Sequence, residues 1–137
     1  MSIEWSGDFS TGVPWQDSQH KGLFRSVNSL LDAMSIGRGK EEVQRLFKFL
    51  HEYFVVHFHY EEEAMHLYKY PDAVSHIKEH TGFIEDISRL EKEAESSLTT
   101  GLVIQVQKRV IDWLADHIGG ADKSLGKHIV KVSEQGS

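Results

Sequence analysis

The sequence predicts an all-α fold, an up-down-up-down antiparallel four-helix bundle with an irregular N-terminal arm and a short C-terminal helix. Three observations carry that prediction. Apolar residues recur at three- and four-residue steps in four separate runs, the period of a helix with one buried face. The connections between runs are short and hold glycine, proline or small polar residues. The chain is 137 residues long, the size of one domain, and no segment alternates as a strand does.

The arm, residues 1–17, carries Gly7, Gly12 and Pro14 among three aromatics. The first helical run is Leu23, Val27, Leu30 and Met34, and Gly37-Arg38-Gly39 ends it. The second runs through Val43, Leu46, Phe47, Leu50, Phe54, Phe58 and Met65 and stops near Tyr70-Pro71, since proline disfavours a helical residue before it. Ile77, Phe83, Ile84, Ile87 and Leu90 make the third, which fades into Glu95-Ser96-Ser97. After a loop at Thr99-Thr100-Gly101, Val103, Val106, Val110, Trp113 and Leu114 form the fourth. Gly119-Gly120 interrupts that run, and a tail helix follows over about 121–132. One domain over 1–137 is expected, with the bundle at 18–118 and the tail at 119–137.

Composition narrows the function. Hydrophobic residues make up 39% and charged residues 26%, as in an ordinary globular protein. The cysteine count is 0, which excludes disulfides, thiolate metal sites, iron–sulfur clusters and cysteine nucleophiles. Fifteen Lys and Arg against 21 Asp and Glu give a net charge of −6, the wrong sign for nucleic acid or an anionic membrane. The N-terminal residues do not read as a signal peptide and no apolar run approaches a membrane span, so a cytoplasmic location is expected.

The nine histidines are the unusual count. Five of them interrupt the apolar stripes. His20 lies on the inner face of the first helix with Leu23 and Val27, and His57 and Glu61 continue the stripe of Leu50 and Phe54 one turn apart. His76 and His80 repeat that i, i+4 spacing on the third helix, and His117 extends the stripe of Val110 and Trp113 on the fourth. One histidine on an apolar face is ordinarily a satisfied core residue. Five facing one interior with a carboxylate among them need a shared partner, because each unpaired buried polar group costs several kcal/mol, by order of magnitude. A metal ion is that partner, and iron, zinc and copper all suit imidazole and carboxylate. His51, His59, His66 and His128 fall off the stripes and are expected to be exposed.

Four segments in order, one per helix, resemble the hemerythrin family, in particular its single-domain bacterial members. They are Asp17-Ser18-Gln19-His20-Lys21, then His57-Phe58-His59-Tyr60-Glu61-Glu62, then His76-Ile77-Lys78-Glu79-His80, then Trp113-Leu114-Ala115-Asp116-His117-Ile118 followed by Asp122. The resemblance implies a non-haem di-iron site that binds dioxygen reversibly. Carried across by position, His76, His80 and His117 hold one iron, and His20 and His57 hold the other. Glu61 and Asp122 bridge the pair together with a solvent-derived oxo or hydroxo group. That set leaves one coordination position open, on the iron with two imidazoles. Leu23, Phe58, Trp113, Leu114 and Ile118 match the family's oxygen-pocket lining, although leucines and aromatics at helical spacing are core residues in any case.

Asp122 raises a geometric problem. On an α-helix, residues five apart point roughly 140° away from each other, so His117 and Asp122 share a metal pair only if the backbone between them departs from α geometry. Gly119-Gly120 makes such a departure inexpensive, and an irregular backbone is expected around 118–122. The glycines capping one helix and Asp122 the next is a second reading, compatible with the first. Gln16 stands where family members more often carry an apolar residue. It is expected to loosen the arm and leave the ligands untouched.

The implied function is that of an oxygen carrier, store or scavenger, not an enzyme, with an oxygen-consuming enzyme as recipient and the monomer as the expected state. A sensor working through a separate partner uses the same site. So does a redox enzyme consuming peroxide or nitric oxide, and weak side reactions of that kind stay open. Ferritin-like di-iron enzymes carry two ExxH motifs, whereas this chain has one, Glu63-Ala64-Met65-His66.

Overall fold

The computed structural model describes residues 3–135, and all regular structure among them is helical, with no strand. The ends of the expected arm and tail, Met1, Ser2, Gly136 and Ser137, lie outside the described residues. After a 3-10 turn at Gly7–Phe9 come α1 (Pro14–Ser35), α2 (Gly39–Leu67), α3 (Ala73–Ser96) and α4 (Thr100–Asp112). A π-helical segment, Trp113–Asp122, then leads directly into α5 (Lys123–Gln135).

The boundaries follow from local chemistry. Proline at the first position of α1 has no N–H to leave unsatisfied and a φ already suited to a helix. Asp17, in that first turn, takes hydrogen bonds from Ser10 Oγ (2.9 Å), Thr11 N (2.8 Å) and Thr11 Oγ1 (2.8 Å), tying the preceding loop to the helix. Helix α1 thus begins inside the segment expected to be arm. Gly37, at φ 77°, takes the left-handed conformation that ends α1. Thr99 caps α4 by accepting from Leu102 N at 3.1 Å.

One boundary expectation is corrected. Gly119-Gly120 does not interrupt the fourth helix; α4, the π segment and α5 form one unbroken helical run. Widening the helix keeps its backbone hydrogen-bonded, whereas ending it would strand a turn of carbonyls in the interior.

The buried apolar residues divide into two clusters. The larger joins Leu23, Val27 and Leu30 of α1, Phe47, Leu50 and Phe58 of α2, Phe83 and Ile87 of α3, and Val106, Val110, Trp113, Leu114 and Ile118 of the last run. The smaller holds Val13, Ala64, Met65, Leu125 and Ile129. At three places buried polar residues fall between the two: Gln16 and His20 lie between Val13 and Leu23, Glu61 between Phe58 and Ala64, and Asp122 between Ile118 and Leu125. A polar layer therefore separates two apolar ones. No helix among the described residues is long and apolar enough to cross a membrane.

Two helical glycines test this packing in opposite directions. A Cβ on Gly126 of α5 would stand 2.4 Å from the Thr11 carbonyl oxygen, while one on Gly82 of α3 would meet nothing within 4 Å. Gly126→Ala is expected to lower the unfolding free energy by about 1–3 kcal/mol by pushing the N-terminal loop off α5. Gly82→Ala is expected to raise it by about 0.5–1 kcal/mol. Urea denaturation of the two variants beside the parent chain checks both signs.

Candidate metal centre

Seven side chains from α1, α2, α3 and the π segment meet in the polar layer. His20, His57, Glu61, His76, His80, His117 and Asp122 are all buried, and Glu61 and Asp122 have no exposed surface (0%). Their inward atoms form two overlapping groups able to hold a metal ion, Glu61 with His76, His80, His117 and Asp122, and His20 with His57, Glu61 and Asp122. The two carboxylates belong to both.

Each carboxylate divides its oxygens between the groups. Glu61 Oε1 lies 3.0 Å from His80 Nε2 and 3.4 Å from His76 Nε2. Its Oε2 lies 3.0 Å from His57 Nε2 and 3.6 Å from His20 Nε2. Asp122 Oδ1 lies 2.9 Å from His76 Nε2 and 3.0 Å from His117 Nε2, and its Oδ2 lies 2.9 Å from His20 Nε2. His20 and His57 face each other Nε2 to Nε2 at 3.2 Å.

Several of these atoms are close without being aligned as hydrogen bonds. His76 Nε2, His117 Nε2 and both oxygens of Asp122 are buried with no hydrogen-bond partner. Lone pairs that converge from several side chains and miss one another aim at points between them, which is the arrangement metal ions require. All donors are imidazole nitrogen or carboxylate oxygen, a set that suits divalent and trivalent first-row metals. The residues fit a metal pair.

The outer ring nitrogens are held from behind. Nδ1–H of His57 donates to Gln19 Oε1, that of His80 to Glu62 Oε2 at 2.9 Å, and that of His117 to Glu79 Oε1 at 3.1 Å. Such bonds fix the tautomer, leaving Nε2 inward as the electron-pair donor. Aromatic rings wedge the imidazoles in place. Phe58 stacks on His80 at 3.9 Å, Trp113 on His117 at 3.7 Å and Tyr53 on His57 at 4.5 Å. Leu23, Leu114 and Ile118 are buried in the same apolar cluster as Phe58 and Trp113.

The π segment brings Asp122 into the set. Its i→i+5 hydrogen bonding stacks residues five apart nearly one above the other, and His117 and Asp122 accordingly approach to 3.0 Å. The expected departure from α geometry around 118–122 is present and longer than expected, beginning at Trp113.

Two expectations need correction. Gln16 neither loosens the arm nor leaves the cluster untouched. It is fully buried in the first turn of α1, and its Nε2 donates to Glu61 Oε2 at 2.8 Å. His128 is half-buried, not exposed, and its ring nitrogen meets the carbonyl of Tyr68 at 2.6 Å, joining α5 to the end of α2. His51, His59 and His66 are exposed. Nothing in the sequence marks a role for Gln19, Glu62 or Glu79. Each sits beside a cluster residue in sequence yet serves an imidazole on a different helix, so only the packing reveals the contact.

Electrostatics sets the state of the metal-free protein. Burial disfavours charge on His20 and His76, but hydrogen bonds and attraction from Asp122 and Glu61 outweigh it and raise both to about 9. Burial likewise disfavours the Glu61 and Asp122 carboxylates. The surrounding imidazoles reverse that for both, and for Asp122 they also overcome repulsion from Glu61, so both titrate below the ordinary carboxylate range.

Comparison with known proteins gives one family. The profile described as "Hemerythrin HHE cation binding domain" matches residues 11–129. A protein named bacteriohemerythrin from Methylococcus capsulatus is 32% identical over 90% of this chain and 94% of its own length. A myohemerythrin from Theromyzon tessulatum is 30% identical over 90% of this chain and 92% of its own. A bacteriohemerythrin from Pseudomonas aeruginosa is 28% identical over 88% of this chain and 76% of its own.

These shifts predict how stability follows pH without metal. His20 and His76 titrate near 6.5 when unfolded and near 9 when folded. Their stabilisation is therefore complete below pH 6.5 and is lost as the pH rises through about 9. The lowered carboxylates act oppositely, stabilising above their unfolded range and losing that contribution as the pH falls. The metal-free protein is expected to melt highest between about pH 5 and 6.5 and progressively lower toward pH 9. Metal should raise the Tm most at the alkaline end, where the ligands have already shed their protons. Calorimetry of both forms across this range checks it; equal melting temperatures with and without metal would contradict it.

Proposed function

The chain belongs to the hemerythrin family, and on that premise we propose that it binds dioxygen reversibly at a pair of irons, as a carrier, store or scavenger and not as an enzyme. The observation that carries the reading is the division of each buried carboxylate, one oxygen toward each histidine group. In this reading His76, His80 and His117 would hold one iron and His20 and His57 the other, with Glu61 and Asp122 each offering one oxygen to either side. Donor chemistry alone admits zinc or copper; the family selects iron. When bound, a reduced iron pair would supply the two electrons that a diatomic ligand takes up and returns on release.

The chain's own residues supply what reversibility demands. The His20 and His57 side presents fewer side-chain donors than the other, which leaves room for a small ligand there. Leu23, Phe58, Trp113, Leu114 and Ile118 line that room and keep out the water that would promote irreversible oxidation. Gln19, Glu62 and Glu79 hold three of the imidazoles in orientation, so the ligand set does not rearrange as charge changes. Short connections between consecutive helices support the up-down-up-down course expected for the bundle. The reading takes the protein as a cytoplasmic monomer whose −6 charge does not favour nucleic acid or anionic membranes, with an oxygen-consuming enzyme as recipient.

The test is the visible spectrum of the anaerobically reduced, iron-loaded protein before dioxygen, under dioxygen and after degassing. A charge-transfer band that appears with the gas and disappears without it is expected. Immediate and permanent conversion to an oxidised spectrum would overturn reversible binding and favour the redox-enzyme reading. A sensor would show the same band, with the addition of a partner whose binding depends on it.

A further inference from the structure

Gln16 is a polar side chain with no exposed surface (0%), in the first turn of α1. Its Nε2 lies 2.8 Å from Glu61 Oε2 and 3.4 Å from the Asp122 backbone carbonyl. Both neighbours are acceptors, so the nitrogen end of the amide, and not the oxygen end, must face them. The other end has no such company: Gln16 Oε1 is buried without a hydrogen-bond partner. An apolar residue of the same size would fill the space and strand no acceptor. What the glutamine adds over an apolar residue is the donor it turns toward Glu61.

The oxygen it reaches is a particular one. Glu61 Oε2 faces His57 Nε2 at 3.0 Å and His20 Nε2 at 3.6 Å, the histidine group with fewer side-chain donors. The same amide nitrogen also points to the carbonyl of Asp122, the last residue of the π segment. From α1, one side chain thus touches both residues that divide their oxygens between the two groups.

We infer that Gln16 is a positioning residue of the metal centre, its amide N–H fixing the Glu61 carboxylate and drawing charge from the oxygen on the His20 and His57 side. The inference rests on the proposed metal pair at this cluster. Two consequences follow. A carboxylate already held in orientation loses less freedom when metal arrives, so Gln16 strengthens metal binding. A hydrogen bond onto a ligand oxygen stabilises the more electron-rich, reduced state of the metals, so Gln16 raises the reduction potential.

Gln16→Leu and Gln16→Met keep the volume and remove the donor; with two variants the test survives misfolding of one. The full-length metal-free chain is titrated with cobalt(II), followed by its visible ligand-field absorption, with far-UV circular dichroism as the check on folding. About tenfold weaker cobalt binding is expected in each variant. In the iron-loaded protein the two-electron potential is expected to fall by about 30 mV, the equivalent of tenfold. A residue that merely fills space predicts neither, since leucine and methionine fill the same space. Parental cobalt affinity together with an unshifted potential in folded variants would overturn the inference. Failure of the dioxygen reading looks different: the parent protein would show no reversible band, while the cobalt difference between parent and variants would remain.

Discussion

Two carboxylates occupy the middle of this bundle with no exposed surface, and the rest of the structure is arranged around keeping them there. A buried carboxylate without a partner is among the most unfavourable groups a protein can hold. Here Glu61 and Asp122 are ringed by five imidazoles contributed by α1, α2, α3 and the π segment. Without metal, protons on His20 and His76 balance the negative charge, which is why both rings are pulled up to about 9. In the proposed metal-bound state, metal ions would take over that balance, and the imidazoles would serve as ligands in place of counter-ions. The same convergence that makes the apo protein sensitive to pH makes the site ready for metal.

The backbone shows how firmly this constraint acts. A helix wound at the usual 3.6 residues per turn cannot direct both His117 and Asp122 into one cluster. The chain widens its helix over Trp113–Asp122 and returns to α geometry at Lys123. That widened stretch carries two cluster residues and three of the apolar residues assigned to the ligand pocket. The glycines within it lower the resistance of the backbone, and the apolar clusters on either side keep the polar layer from opening to solvent.

Much of this was legible in the sequence because helix periodicity and side-chain chemistry are both local. The stripes located four helices, and histidines at stripe positions such as His76 and His80 located the cluster. The 140° problem at Asp122 identified where α geometry had to fail. It did not reveal how: an end, a tightening and a widening all solve the angle, and the choice depends on what packs against the carbonyls. Residues acting across helices were illegible for the same reason. Gln16 departs from the family pattern in sequence, yet its hydrogen bond to Glu61, 45 positions away, exists only once α1 and α2 are side by side. His128 reads as exposed in the sequence because nothing near it in the chain shows that α5 brings it to the carbonyl of Tyr68.

In the proposed site Glu61 and Asp122 would each join two metal ions, and magnetic coupling reports such joining most directly. Mössbauer spectroscopy of the iron-loaded, oxidised protein, with magnetic susceptibility on the same sample, distinguishes a bridged pair from separate ions. Two irons per chain with antiferromagnetically coupled spins are expected, giving a ground state with almost no net moment. One iron per chain, or two that behave as independent high-spin ions, would contradict it.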